Sequence, residues 1–209
     1  MTLQDAPVLQ PWLDLSGVPL GKGVSLGVNL WTNFPVKDAF YEGQLAVEGG
    51  AFSEIATTVT LSLPKGFDLG FAEYTMLRTL AGRPADTGEA FVGWTGSFGV
   101  DVWVYGYYDV QAVDGFYLEL GVAREFAIRP RLTTTLQLQA GAASRNFALA
   151  CWGTKAGAFD YGLLGELSFA PSEKVSLGVR LGYVGSLDHD VLPEQPVSFY
   201  GGFTTSVGS

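Results

Sequence analysis

The segment Val175-Ser176-Leu177-Gly178-Val179-Arg180-Leu181-Gly182 decides the fold, because every second residue in it is aliphatic and those between are small or polar. Successive side chains of a β-strand point to opposite faces of a sheet, so this period of two predicts a strand with one apolar and one polar face. The same alternation runs through residues 24–30, 57–63, 116–122, 132–139 and 162–169. Helical periodicity is nearly absent, and the chain is therefore predicted to be all-β.

Extending the alternation predicts eleven strands. They lie near residues 8–16, 23–32, 53–63, 67–76, 89–96, 100–109, 116–125, 132–142, 160–169, 175–185 and 197–207. Bacterial single-chain barrels have an even number of strands, so a further strand is expected either upstream of Met1 or at residues 41–48, where the alternation returns. We predict an antiparallel up-and-down transmembrane β-barrel of about 12 strands, with the first strand left open.

The composition excludes several classes of protein. The 209 residues fit one domain spanning residues 1–209. Charged residues make up 16% and the mean hydropathy is +0.22, yet no apolar stretch of about 18 residues is present. A membrane-spanning chain without such a helix must close into a barrel, since every backbone polar group in lipid needs an internal partner. The net charge of −9 and the scattered basic residues predict no binding of nucleic acid.

Three features favour a membrane barrel over a soluble lipocalin-like or sandwich fold, which stays open as an alternative. The segments are about ten residues long, as tilted membrane-spanning strands are. Short and long connections alternate, with short turns at residues 18–23, 64–66, 97–99, 128–131 and 171–174. Aromatic residues crowd the segment ends, as in the girdles of outer-membrane barrels. They are Trp31, Trp94, Trp103, Tyr105, Tyr107, Tyr108, Tyr161, Tyr183, Phe199 and Tyr200.

The candidate functional residues are the polar side chains that would line the lumen. They are Glu119, Glu166, Arg180, Gln137, Gln139 and Asn29, with Asp101 and Glu73 as weaker additions. Glu166 and Arg180 lie about equally far from the turn at residues 171–174, so a cross-strand ion pair is predicted. Two interpretations are equally favoured: a charged pore lining, in which acidic groups prefer cations, and a salt-bridged plug.

No catalytic, cofactor or metal site is predicted. His189 lies between two carboxylates in Leu187-Asp188-His189-Asp190, but the position two residues after it, a serine in outer-membrane phospholipases, is Val191. Cys151 is the single cysteine, which excludes an internal disulfide and a multi-cysteine metal site. It has no neighbouring basic cluster to activate its thiol, so it is interpreted as a neutral loop residue. We expect a protein that is not an enzyme.

Four short runs resemble Gram-negative outer-membrane proteins of the porin type, TorF-like or of a related family. They are DAPVLQP at residues 5–11, GVSLGVNLW at 23–31, YDVQAVDGFYLELG at 108–121 and FYGGF at 199–203. The resemblance implies a barrel fold and a location in the outer membrane of a Gram-negative bacterium, and it implies no substrate and no catalytic residues. The sequence departs from the family at its last residue, Ser209, where these barrels usually end in an aromatic residue. No signal peptide is visible, so the sequence is expected to be a mature or trimmed form.

Two functions from different classes follow from these observations. The first is a narrow channel for small polar solutes or ions, since about twelve strands lie between filled eight-stranded and open sixteen-stranded barrels. The second is a closed docking barrel whose long loops at residues 33–53 and 144–159 hold partner proteins. The expected partners are the bilayer with its lipopolysaccharide and, as an open alternative, further copies of the chain or a protein complex. A barrel enzyme acting on lipid would need a Ser–His pair, which is missing.

Overall fold

The computed structural model describes residues 8–35, 54–76, 86–151, 153–172, 175–193 and 198–207, and these are almost entirely β-structure. The strands are β1 Val8–Leu9, β2 Trp12–Gly21, β3 Val24–Pro35, β4 Glu54–Leu63, β5 Phe67–Met76, β6 Asp86–Ser97, β7 Asp101–Asp109, β8 Phe116–Arg129, β9 Leu132–Ala143, β10 Gly157–Ser172, β11 Val175–Ser186 and β12 Ser198–Val207. Among these residues the helical elements are α1 Arg145–Ala150 and the 3-10 turn Pro64–Gly66. Neither is long and apolar enough to cross a membrane.

The strands form one antiparallel up-and-down sheet in which each strand pairs with its neighbours in the sequence. Its order is β1-β3-β4-β5-β6-β7-β8-β9-β10-β11-β12, and β2 also pairs with β3. Val8 lies opposite Pro35 and Trp12 opposite Trp31, which is one continuous register. β1 and β2 are therefore one edge strand interrupted at residues 10–11, and the sheet has eleven strands in this count. The all-β, antiparallel, up-and-down part of the prediction is confirmed.

Ten of the eleven predicted segments coincide with one observed strand each, and their ends differ by only a few residues. The first prediction, residues 8–16, was wrong at its end, because β2 continues to Gly21. A β-bulge between Leu15 and Val18 inserts one extra residue, with Gly17 at φ 71°. The bulge breaks the alternation in the sequence but keeps both Leu15 and Val18 on the face of Val28 and Leu26. The predicted turn at residues 18–23 is correspondingly only two residues long, Lys22 and Gly23.

The connection predicted as an irregular loop over residues 144–159 is also corrected. Ser144 caps the N-terminus of α1 by accepting from the backbone N–H of Phe147. β10 then begins at Gly157, earlier than predicted, because a bulge between Ala158 and Tyr161 shifts the alternation. The candidate strand at residues 41–48 and most of the loop at residues 33–53 lie outside the described residues.

Contacts divide the chain into two compact units, and each is described by itself. The first is Met1–Trp94 with Tyr105–Tyr117, and the second is Thr95–Val104 with Leu118–Ser209. The boundaries fall within β6, β7 and β8. The expectation of one domain over residues 1–209 stays a prediction.

In both units the aliphatic face of the sheet is the more exposed one. In the first unit Val28, Val59, Leu69, Phe71 and Val92 are exposed. In the second unit Leu136, Leu138, Leu163, Leu167, Leu177, Val179, Leu181 and Phe203 are exposed. The opposite face carries small and polar residues of lower exposure, such as Thr58 and Thr60 in the first unit and Gln137 and Ser168 in the second. A water-soluble sheet buries its aliphatic face, so the pattern is inverted.

Candidate functional site on the polar face of the sheet

The polar face of the second unit is organised around Glu166 on β10. Arg180 on β11 lies directly opposite in the register, and its Nη2 lies 3.1 Å from Glu166 Oε2. The other carboxylate oxygen accepts from the hydroxyls of Ser168 and Thr204, each at 3.1 Å. The predicted cross-strand ion pair is confirmed. Glu166 also links three neighbouring strands, because Thr204 belongs to β12.

Glu119 on β8 is held by a tryptophan of the neighbouring strand. Trp103 Nε1 on β7 donates to Glu119 Oε1 at 2.7 Å. The indole lies across Gly121, where any Cβ would overlap the ring. A glycine at this position is therefore required for the aromatic side chain to lie flat on the polar face, an arrangement known from paired strands in which aromatics cover glycines.

The predicted amide pair of β9 interacts with itself. Gln137 Nε2 donates to Gln139 Oε1 at 3.0 Å, and both side chains stand on the same face as Glu166. Their register partners on β10 are Leu164 and Gly162. These amides give this face hydrogen-bonding capacity without charge.

In the first unit, Asn29 on β3 lies opposite Asp14 on β2, and its amide donates to the Asp14 carboxylate at 3.3 Å. Two tyrosines hold further carboxylates on this face. Tyr105 donates to Asp68 at 2.6 Å, and its ring covers Gly93 in the way that Trp103 covers Gly121. Tyr74 donates to Glu89 at 3.0 Å. Asp14, Asp68 and Glu89 are thus each hydrogen-bonded to a side chain of another strand.

A ladder of aromatic rings occupies the polar face of the first unit, and part of it was predicted to lie on the other face. Tyr105 stacks on Tyr107 at 6.0 Å between ring centroids, and Phe91 and Tyr117 flank the pair. Tyr105 and Tyr107 were assigned to the lipid-facing girdle, as were Trp31, Trp103 and Tyr200. The sequence contained a signal for the correct face. Tyr105 and Tyr107 stand at odd-numbered positions of β7, as do the acidic residues Asp101 and Asp109, so all four lie on one face.

Other predicted aromatics do stand on the exposed apolar face. In the second unit Tyr161, Tyr183 and Phe199 form a contiguous cluster, with centroids 5.8 Å and 5.6 Å apart, at the ends of β10, β11 and β12 that join the long loops. At the opposite ends, beside the short turns, Phe169 and Phe126 are exposed. In the first unit Phe67 is exposed at this turn end and lies opposite Trp94, whose indole donates to Lys65 O at 3.1 Å.

Glu73 does not belong to the polar face. It pairs in register with Thr57 and Gly88 and stands on the face of Phe71, where its carboxylate accepts from Gln111 Nε2 at 3.3 Å. The weaker prediction that Glu73 lines the lumen is therefore wrong. Asp101 shares the face of Trp103 at the start of β7 and is exposed.

Asp109, which was not among the predicted site residues, is the most buried charged side chain among the described residues, at 1% exposure. Its carboxylate accepts from the hydroxyl of Thr87 and from the backbone N–H groups of Gln111, Val113 and Asp114. These bonds close the connection at residues 110–115. The sequence signal for this role is an Asp at the start of a short connection, because an Asp side chain readily accepts from the backbone N–H two residues further on.

The second unit carries a small hydrophobic core at the loop end of its strands. Ala148 of α1, Phe159, Val191 and Leu192 are all 2% exposed or less. Phe147 meets the Phe159 ring edge-on at 6.3 Å. The described parts of the two loops that meet here, residues 144–151 with 153–156 and residues 187–193, thus form a folded layer.

Cys151 and His189, the two residues that were considered for reactivity and not predicted to be catalytic, lie in this layer. Cys151 ends α1 and is partly exposed, with its backbone N–H bonded to Phe147 O and Ala148 O. His189 is exposed. Val191, at the position where a membrane phospholipase has its serine, is buried. Within the described part of the chain no group of three metal-ligating side chains occurs.

Comparison of the chain with protein-family models, with curated proteins and with solved structures found no match. The resemblance to TorF-like porins therefore stays a prediction.

Proposed function

We propose that the chain spans the outer membrane of a Gram-negative bacterium as a β-barrel and provides a narrow passage for small polar solutes or ions. The observation that carries this proposal is the inverted sheet, in which the aliphatic face is exposed and the polar face is sheltered. Leu181 is 60% exposed and Leu136 is 56% exposed. Exposed apolar area costs about 25 cal/mol per Å² in water and nothing in lipid, so a bilayer is the solvent that suits this face.

The aromatic residues of the exposed face support the same proposal. Tyr161 and Phe169 lie near opposite ends of β10 and are eight residues apart. At a rise of about 3.3 Å per residue they are separated by about 26 Å along a strand. Outer-membrane barrels carry an apolar band about 25 Å tall between two aromatic girdles. Strand tilt shortens the projected distance, so the spacing on β10 suits a thin bilayer.

The contents of the polar face argue for a narrow passage. Trp103, Tyr105 and the Glu166–Arg180 pair would all project into the lumen of a closed barrel. A barrel of about twelve strands is wider than one filled by side chains, yet much narrower than a porin of sixteen strands. Large side chains that are hydrogen-bonded to each other would reduce the opening further. Selectivity would then come from charged lining residues such as Glu119. Asn29, Gln137 and Gln139 would add neutral hydrogen-bonding groups to the lining.

Single-channel recording on the purified, refolded protein tests this proposal. We expect steady ohmic steps in a planar bilayer and, in a salt gradient, a reversal potential that favours cations. Glu166→Gln should shift that potential towards zero, because it removes a negative charge and leaves Arg180. A protein that folds into the bilayer, shown by heat-modifiable migration, but conducts no current would overturn the passage.

A docking barrel is the second candidate, and the folded loop layer favours it. Loops that need only to cap a pore have no need of a core, whereas a rigid surface lowers the entropy cost of binding a partner. A silent bilayer would point to this function. It would be established by a stoichiometric complex that survives solubilisation and is lost when residues 145–155 are replaced by a Gly-Ser linker of equal length.

A further inference from the structure

The turn end of the sheet carries basic side chains beside exposed aromatics in both units. In the first unit Lys22 and Lys65 occupy two short turns that lie side by side, because the turns adjoin the paired strands β3 and β4 and a Cβ built on Gly23 would lie 3.4 Å from Pro64. Phe67 begins β5 two residues after Lys65 and is exposed. Lysine at the tip of a turn, next to an aromatic on the apolar face, is the arrangement of a membrane–water interface.

The second unit repeats this arrangement with different residues. Arg124 on β8 shares the exposed face with Val122, Phe126 and Ile128. Its guanidinium lies over the Phe126 ring at 5.2 Å from the centroid. Arg124 thus stands on the apolar face one step inside the aromatic residue. A cation at that depth is tolerated when its long side chain reaches the headgroup layer.

Lys22, Lys65 and Arg124 have no protein carboxylate as a partner within the described ranges. The ion pairs found there are Lys155–Asp190 and Glu166–Arg180. The chain as a whole carries a charge of −9, yet these cations have no ion-pair partner among the described residues of their own units. Their natural counter-ion is an anion that the apolar face brings to the same level, which is a lipid phosphate.

We propose that the headgroups of anionic phospholipids dock on Lys22 and Lys65 at the turn end of the first unit and, as a separate contact, on Arg124 at the turn end of the second unit. This inference rests on the proposed membrane insertion and adds the class of lipid that surrounds the turn end. Phosphate groups accept several charge-assisted hydrogen bonds from Lys and Arg. One basic residue near a membrane surface raises local binding of anionic lipid about fivefold. The surface would hold the turns at a defined depth in the bilayer.

Electron spin resonance with spin-labelled lipids tests the surface on the full chain refolded in phosphatidylcholine bilayers. The quantity measured is the ratio of the association constants of labelled phosphatidylglycerol and labelled phosphatidylcholine with the protein. We expect a ratio above one for the unaltered protein and a ratio near one for the triple variant Lys22→Asn, Lys65→Asn, Arg124→Gln. Asparagine is chosen for the turns because Lys22 and Lys65 have φ of 55° and 70°, which asparagine adopts readily.

The matched control removes Arg145 and Lys155, which lie in the loop layer at the other end of the strands, and it should keep the ratio of the unaltered protein. A ratio of one or less in the unaltered protein would overturn the docking surface and leave the membrane proposal intact. Equal ratios in the unaltered protein and the triple variant would do the same, as would an equal decrease in the control. If the folded protein showed no motionally restricted component with either lipid, both proposals would be overturned.

Discussion

Glu166 shows how one residue can organise several strands. Its two carboxylate oxygens accept from Arg180, Ser168 and Thr204, so β10, β11 and β12 are connected by side chains as well as by their backbones. Hydrogen bonds to a charged group contribute more than those between neutral groups. The network is partly exposed, with side-chain exposures of 22% for Glu166 and 39% for Arg180, so solvent screens part of this stabilisation.

Replacement of Glu166 by Gln should lower the free energy of unfolding by about 1–2 kcal/mol. The neutral amide loses the ion pair and presents an N–H₂ group to at least one hydroxyl or to the guanidinium. Denaturant titration of the detergent-refolded protein measures the change. Glu125→Gln is the matched control, because Glu125 is an exposed strand glutamate with no ion pair among the described residues, and its effect should stay within about 0.5 kcal/mol. Equal losses in both variants would show that the network adds no stability.

At the scale of elements, the two ends of the strands differ. The turn end has two-residue and three-residue connections, such as Lys22 with Gly23, where positive φ at both positions matches the twist of a hairpin. The loop end instead holds the Asp109 connection in the first unit and the folded layer in the second. These connections contain the most buried residues of the described chain, so stability there depends on loop packing.

Asp109→Asn should loosen the connection at residues 110–115. The carboxylate accepts four hydrogen bonds from Thr87 and three backbone N–H groups, and an amide nitrogen would face some of these donors with a donor of its own. The expected cost is about 1–3 kcal/mol for opening the loop. Hydrogen exchange at the amides of Gln111 and Val113 should accelerate correspondingly, by about 5-fold to 150-fold. Asp114→Asn, an exposed change in the same loop, should leave these rates nearly unaltered, and unaltered rates in Asp109→Asn itself would refute the assignment.

Leu192→Ala should open the loop layer of the second unit without melting the sheet. Leu192 is 1% exposed, and truncating a buried leucine costs about 2–5 kcal/mol, here taken locally from the loop core. Trypsin cleavage after Arg145 and Lys155 reports the opening, while circular dichroism of the strands should not change. Leu187→Ala removes the same atoms from a side chain that is 47% exposed and should leave cleavage slow. Slow cleavage in Leu192→Ala would mean that the layer does not depend on this core.

At the scale of the whole molecule, the distribution of apolar residues is the feature that favours a bilayer over water as the surroundings of the protein. Buried apolar side chains of the described strands are few, namely Ala56, Ala72, Ala143 and, at the loop end of β10, Phe159, whereas large aliphatic residues are exposed along one face of each unit. A protein of this kind in water would expose an apolar patch far larger than soluble monomers tolerate. In the bilayer that we propose, the same face would meet lipid, and the hydrogen-bonded polar face would lie away from it.

Neighbouring residues of β9 provide a direct test of this arrangement. Leu136→Lys places a charge on the exposed apolar face near the middle of the strand, and in a bilayer it should cost about 2–4 kcal/mol. Gln137→Lys places the same charge on the polar face and should cost less than about 1 kcal/mol. Unfolding titrations of protein refolded in lipid vesicles give both values. The reverse order, with Leu136→Lys harmless, would identify a protein folded for water.

Much of this structure follows from local sequence. The period of two predicts ten of the strands and which residues of β9, β10 and β11 share a face, because side-chain direction in a strand depends only on position along it. The ion pair of Glu166 and Arg180 was predictable for a related reason. A short turn sets the register of the hairpin that it joins, so equal distances from residues 171–174 place the two side chains opposite each other.

The tertiary structure alone decides features that depend on a neighbouring strand or loop. The bulge at Gly17 is evident only from the pairing of β2 with β3, which places Leu15 and Val18 on the same face. Trp103 and Tyr105 lie flat on the polar face because Gly121 and Gly93 on adjacent strands leave room for their rings. Ala148 and Leu192 become buried only when two loops far apart in sequence fold together. The sequence by itself therefore determines the strands and their alternation, and long-range packing decides the bulges, the placement of aromatic rings over glycines and the loop core.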